Sequence, residues 1–186
     1  MVPLTELWMP LAAAAVLVFV ASSIVHMVLP YHKADYRKLP NEDEVADAIR
    51  RGNAGPGFYA IPHCSDMKES ATPEFQEKYK RGPVAMLAKM PDGAPNMGKF
   101  LGLWFVQCVI VSLFAVYVAS RTLGAGSDYL MVFRVAGTVA FAGYGLGSIT
   151  DSIWHGHPWS NTFRALFDAL IYAGITGGAC GWLWPR

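Results

Sequence analysis

Residues Leu7–Leu29 read LWMPLAAAAVLVFVASSIVHMVL, interrupted only by Ser22, Ser23 and His26. A hydrocarbon core takes roughly 20 apolar residues of helix to cross, so this stretch predicts a transmembrane helix. Pro10 is tolerated because it falls in the first turn. No Lys or Arg precedes the run, it is too long for the apolar region of a signal peptide, and no small-residue cleavage pattern closes it. The expectation is a permanent helix rather than a leader.

Three more stretches resemble it in composition. Phe100–Ser120 contains Gln107 and Ser112, Tyr129–Ile149 contains Arg134, and Phe163–Trp184 contains Arg164 and Asp168 near its start. Helix is the economical way across, because every backbone N–H and C=O must be satisfied within the segment. Trp8, Trp104, Tyr129, Trp182 and Trp184 fall near the ends of these runs, as in an interfacial aromatic belt. The fold expected is an all-α integral membrane protein. Its four transmembrane helices comprise one within residues 1–30 and three within 99–186 (about 100–120, 129–149 and 163–184). A small α+β cytoplasmic insert spans residues 31–98, between helices one and two.

Composition agrees. Of 186 residues, 53% are hydrophobic and only 16% charged. A soluble domain carries about 25% charge, which argues against an ordinary cytosolic enzyme. A formal net charge of +1 offers no field to attract nucleic acid. The partners expected are the lipid bilayer and other membrane-protein subunits.

Charge asymmetry sets the orientation. Residues 31–99 hold 11 of the 15 Lys and Arg residues, including Lys33, Arg37, Lys38 and Lys99 beside the spans. By the positive-inside rule this segment faces the cytoplasm. Both termini then lie outside, in a multi-pass protein of the cell membrane, of the bacterial inner-membrane type. The insert has its own signals. Asn41-Glu42-Asp43-Glu44 reads as a helix start, and Arg50-Arg51-Gly52 as its end with Gly52 in the left-handed cap. Thr72-Pro73-Glu74 starts a second helix that stops before Gly82-Pro83. Gly57–Pro62 and Val84–Met90 read as short strands.

Few residues carry chemistry. All five histidines fall on the predicted inner side. His26 ends the first span, His32 and His63-Cys64 lie in the insert, and His155 and His157 flank Gly156. Imidazole and thiolate suit zinc, copper or iron. His26, His63, Cys64, His155 and His157 are therefore the candidate ligands for a transition metal or a haem. Asp168 is costly in a bilayer. It pairs with Arg164 one turn back, or serves a proton path, or steadies a ligand histidine. Arg134 reaches Glu6 or snorkels outward. Gly143/Gly147, Gly174/Gly178 and Gly177/Gly181 form GxxxG patterns, and Ala169, Ala173, Gly177 and Gly181 recur every four residues. Such stripes mark close helix contacts, within the chain or with another subunit.

No catalytic constellation is legible. Cys64, Cys108 and Cys180 are not spaced as a redox pair, and no phosphate loop or nucleophile elbow is present. Three functions remain in view. The first is a non-catalytic accessory or structural subunit of a larger membrane complex. The second is a metal- or haem-binding protein using the His/Cys set at the cytoplasmic face. The third is a proton-coupled carrier using Asp168.

Overall fold

A computed structural model describes all of Met1–Arg186. Helix accounts for 69% of the residues. In chain order, α1 covers Trp8–Met27, α2 Glu42–Arg51, β1 Gly57–Ile61, α3 Met67–Ser70, α4 Pro73–Arg81 and β2 Ala85–Lys89. Then come α5 Met97–Thr122, α6 Tyr129–Phe141, α7 Gly147–Trp154 and α8 Trp159–Trp182. A π-helical segment, Ala142–Leu146, joins α6 to α7, and a 3-10 segment, Pro30–Asp35, follows α1.

Three helices are long and apolar enough to cross a membrane: Leu4–Met27, Met97–Thr122 and the continuous Tyr129–Trp154. The last runs five residues beyond the sequence expectation, because the π segment absorbs the glycines without ending the helix. At 24 residues, α8 is as long as these but less apolar, since Asn161, Arg164, Asp168 and four glycines interrupt it.

The contacts divide the chain into two units. Tyr36–Pro95 forms one. Its two strands pair antiparallel, with Tyr59 opposite Leu87. Thr72 caps α4 by accepting a hydrogen bond from Phe75 N at 3.3 Å, and Pro73 occupies the first turn. Phe75 is the buried anchor of this unit, with Tyr79 edge-on to it at 5.0 Å. Two local expectations fail. Asn41 caps no backbone N–H and instead donates to Glu44 Oε2 at 3.3 Å. Gly52 stays right-handed, and the positive φ falls on Asn53, which tolerates it nearly as well.

Met1–Asp35 and Asn96–Arg186 form the helical unit. Residues 31–35, read from sequence as the start of the insert, group with the helices. Asn96 caps α5 by accepting from Lys99 N at 3.0 Å. The tightest seam joins α6 to α8. A Cβ on Gly177 would stand 2.7 Å from Phe133 O, and one on Gly181 would stand 2.7 Å from the Tyr129 ring. Gly145 sits against Ala169, and Gly143 against Val111. The stripe Ala169, Ala173, Gly177, Gly181 is thus used within the chain. Gly147 and Gly174 have open space around the missing Cβ, and Gly178 only meets Tyr129 at 3.6 Å.

Candidate functional site

The site is built where α1 ends and α8 is two to three turns old. Asp168 on α8 is 4% exposed, and nothing in its own helix satisfies it. The 3-10 segment after α1 supplies what it lacks. Tyr31 donates its phenol proton to Asp168 Oδ1. His32 Nε2 lies 2.9 Å from Asp168 Oδ2, and His26 Nε2 lies 3.9 Å from the same oxygen. The two imidazoles are tilted against each other with centroids 4.2 Å apart. Pro30 turns the chain directly after the span, so both histidines address one carboxylate.

A second carboxylate stands behind the first histidine. His32 Nδ1 lies 2.6 Å from Asp35 Oδ2. Arg164 donates from Nη1 to Asp35 Oδ1 at 2.6 Å, and also to Asn161 Oδ1 at 3.2 Å. Asn161 donates from Nδ2 to the Asp35 carbonyl at 3.2 Å. Burial pushes the Asp35 carboxyl up, but the hydrogen bonds from His32 and Arg164 outweigh it and hold the group below its ordinary value. Burial, then the bond to Asp168, pushes the Tyr31 phenol up, so it stays a donor.

The expected Arg164–Asp168 pair does not form. Four-residue spacing puts both on one helix face, but Arg164 reaches Asp35 and Asp168 faces the histidines. Arg134 is exposed and makes no ion pair with Glu6. Trp104 donates from its indole to Ser22 Oγ at 2.7 Å inside the helical unit.

Of the five histidine and cysteine ligands read from sequence, only His26 belongs to this cluster. His63 and Cys64 lie in the Tyr36–Pro95 unit, where the thiol faces the Asp66 carbonyl at 2.9 Å. His155 pairs with Asp151 at 2.9 Å, and His157 is exposed beyond the Gly156 turn. The residues that sequence reasoning undervalued are His32 and Asp35. Their signal was the run Pro30-Tyr31-His32-Lys33-Ala34-Asp35 at the end of a span, where one turn brings Asp35 back under the His32 ring.

His32 decides what the site can do. Its Nδ1 is hydrogen-bonded to Asp35, whereas Nε2 is buried 2.9 Å from Asp168 Oδ2 without making a hydrogen bond. With Nδ1–H donated to Asp35, the Nε2 lone pair is left free to join Asp168 around a cation. His26 Nε2 is then the third donor. The three donor atoms lie within 4.8 Å of one another. Tetrahedral zinc with ligands at 2.0–2.1 Å separates its donors by about 3.3 Å. The 2.9 and 3.9 Å separations straddle that figure. The set is two imidazoles and one carboxylate, with the Asp35–His32 bond in the position that commonly fixes a ligand histidine's tautomer.

Comparisons with protein-family models, with curated proteins and with solved structures return no match for this chain.

Proposed function

We propose that the protein is an integral membrane protein that binds a divalent transition-metal ion, of the zinc or iron(II) kind, at the cytoplasmic rim of its bundle. The bundle is read as four spans with α8 as the fourth, and both termini lie outside. At 1.5 Å per residue, α8 is about 36 Å long, enough to cross. Its polar residues cluster toward one end, where Asp35 and the histidines meet them. The lysine and arginine excess in residues 31–99 favours the cytoplasmic side for that end.

One observation carries the metal reading: His26, His32 and Asp168 bring three donor atoms within 4.8 Å of one another, and Asp35 stands behind His32. His26 and His32 would hold the ion through Nε2 and Asp168 through Oδ2. The chemistry supplied is that of an ion with positions left open to water or an incoming ligand. A haem held between the two imidazoles is disfavoured, because their ring centroids stand only 4.2 Å apart and leave no room for a porphyrin between the rings. A purely structural subunit is the weaker reading. The glycine stripe that would support docking on another subunit is taken up by the α6–α8 seam.

The test is elemental analysis of protein purified in mild detergent and equilibrated with zinc or with iron(II) under anaerobic conditions. About one ion per chain is expected to survive desalting, and to be lost in His32→Ala. The double variant His155→Ala, His157→Ala should retain it. Metal-free wild-type protein after equilibration overturns the reading.

A further inference from the structure

Inward of the rim, the helical unit carries a second group of polar side chains. On α8, Asp168, Tyr172 and Thr176 recur every four residues, so each stands about 6 Å further along the same face. On α5, Trp104, Cys108 and Ser112 recur in the same way. The two stripes meet. Trp104 and Tyr172 have ring centroids 6.2 Å apart, and Cys108 packs in one cluster with Tyr172. Tyr144, carried inward by the π segment, stands between them at 5.4 Å from Tyr172, with its hydroxyl beside Cys108 and Ser112.

Two hydroxyls in this region, Tyr172 Oη and Thr176 Oγ1, are buried without a protein partner, while Tyr144 Oη and Ser112 Oγ lie beside one another and Cys108. Ser112 and Thr176 are fully buried and Tyr172 is 3% exposed. Their neighbours show that the helices offer an easy alternative. Ser22 turns back to the Phe19 carbonyl at 2.8 Å, Ser120 to Tyr117 at 2.7 Å and Ser148 to Gly145 at 2.7 Å. Thr176 makes no such bond, and Ser112 stands beside the Tyr144 hydroxyl instead. Native interiors rarely strand one buried polar group, and here two stand one turn apart on one helix face. A water molecule satisfies two to four such groups at once.

We infer that the helical unit holds a short file of water between the Trp104–Cys108–Ser112 and Asp168–Tyr172–Thr176 stripes, opening at Asp168. The file gives the Asp168 carboxylate a hydrogen-bonded connection about 12 Å into the bundle. The inference does not depend on the metal, since the stripes and the stranded hydroxyls are present whatever occupies the rim.

The native cysteines provide the test. Cys108 lies between the stripes, whereas Cys180 is equally buried in the apolar cluster with Leu7, Val116 and Val132. Two reporters are made in a Cys64→Ser background, one with Cys180→Ala and one with Cys108→Ala. Each is reconstituted in lipid, stripped with a chelator and mixed with D2O, and S–H to S–D conversion is followed by infrared absorption. Cys108 is expected to exchange at least about tenfold faster than Cys180, because exchange of a buried group reports access of water. Equal or slower exchange at Cys108 overturns the inference. Adding Ser112→Ala with Thr176→Val to the Cys108 reporter should slow its exchange toward the Cys180 rate. An unchanged rate in that variant overturns it too.

Discussion

The two ends of the helical unit are closed by different means. Away from Asp168, the closure is largely backbone. Val2 N donates to Ser120 O at 3.3 Å, and Gly126 N to Pro185 O at 2.9 Å. Trp184 adds an indole bond to the Gly124 carbonyl at 2.9 Å, and Arg121 reaches the Val2 carbonyl at 3.3 Å. At the Asp168 end the closure is made mainly between side chains, those of Tyr31, His32, Asp35, Asn161, Arg164 and Asp168, with one bond from Asn161 to the Asp35 carbonyl. Backbone ties tolerate most substitutions, because any residue offers an N–H and a C=O. Side-chain ties do not. An end that depends on the identity of six residues to achieve what the other achieves with main chain is where a function should be sought.

The contrast is broken most severely at Asp168. Asp168→Asn keeps the shape but removes the anionic donor, and metal affinity should fall by at least about 100-fold, as read by competition with a chromophoric chelator. Asp35→Asn touches no donor atom. It should weaken affinity by about 10–100-fold through the tautomer and orientation of His32, and Asp35→Glu should recover part of the loss. Protons compete for the same imidazoles. Affinity in the wild type should therefore decline as the solution is made more acidic, a dependence that His155→Ala should leave unaltered.

The helix α4, its Thr72 cap and both strands were legible because each is written in contiguous residues, Thr72-Pro73-Glu74 and Gly57–Pro62 among them. The apolar runs of the helices were legible for the same reason. The candidate site was legible only in part. Asp168 is conspicuous in an apolar run, and His26 sits at the end of another. Spacing alone assigned Arg164 to Asp168, since it knows the helix face but not what stands opposite. His32 looked like one loop histidine among several, until the turn at Pro30 brought Tyr31, His32 and Asp35 against α8. His155 and His157 share a side with these residues by topology, yet membership of one leaflet boundary is a far looser condition than a few ångströms between ring nitrogens.

Smaller effects sharpen the comparison. Gly177→Ala forces a Cβ toward the Phe133 carbonyl and should destabilise by about 1–3 kcal/mol, as overpacking does. Gly174→Ala enters open space and should stay within about 0.5 kcal/mol of wild type in thermal unfolding. At the backbone-closed end, Trp184→Phe loses one bond and should lower stability by about 1 kcal/mol while leaving metal affinity untouched.

The π segment Ala142–Leu146 changes what one long helix presents to its neighbour. A π turn amounts to one residue inserted into the α-helical pattern, which resets the angular phase by about 100° at 3.6 residues per turn. Before it, α6 meets α8 through Gly137 and the groove that receives Gly177. After it, α7 meets α8 through hydroxyls, with Ser152 bonded to Thr162 and the Ser148 carbonyl accepting from Thr162 Oγ1 at 3.3 Å. A straight helix of the same composition would carry a single kind of seam along its length. The inserted residue lets this one be dry and close-packed on one half and polar on the other, with Tyr144 turned inward at the junction.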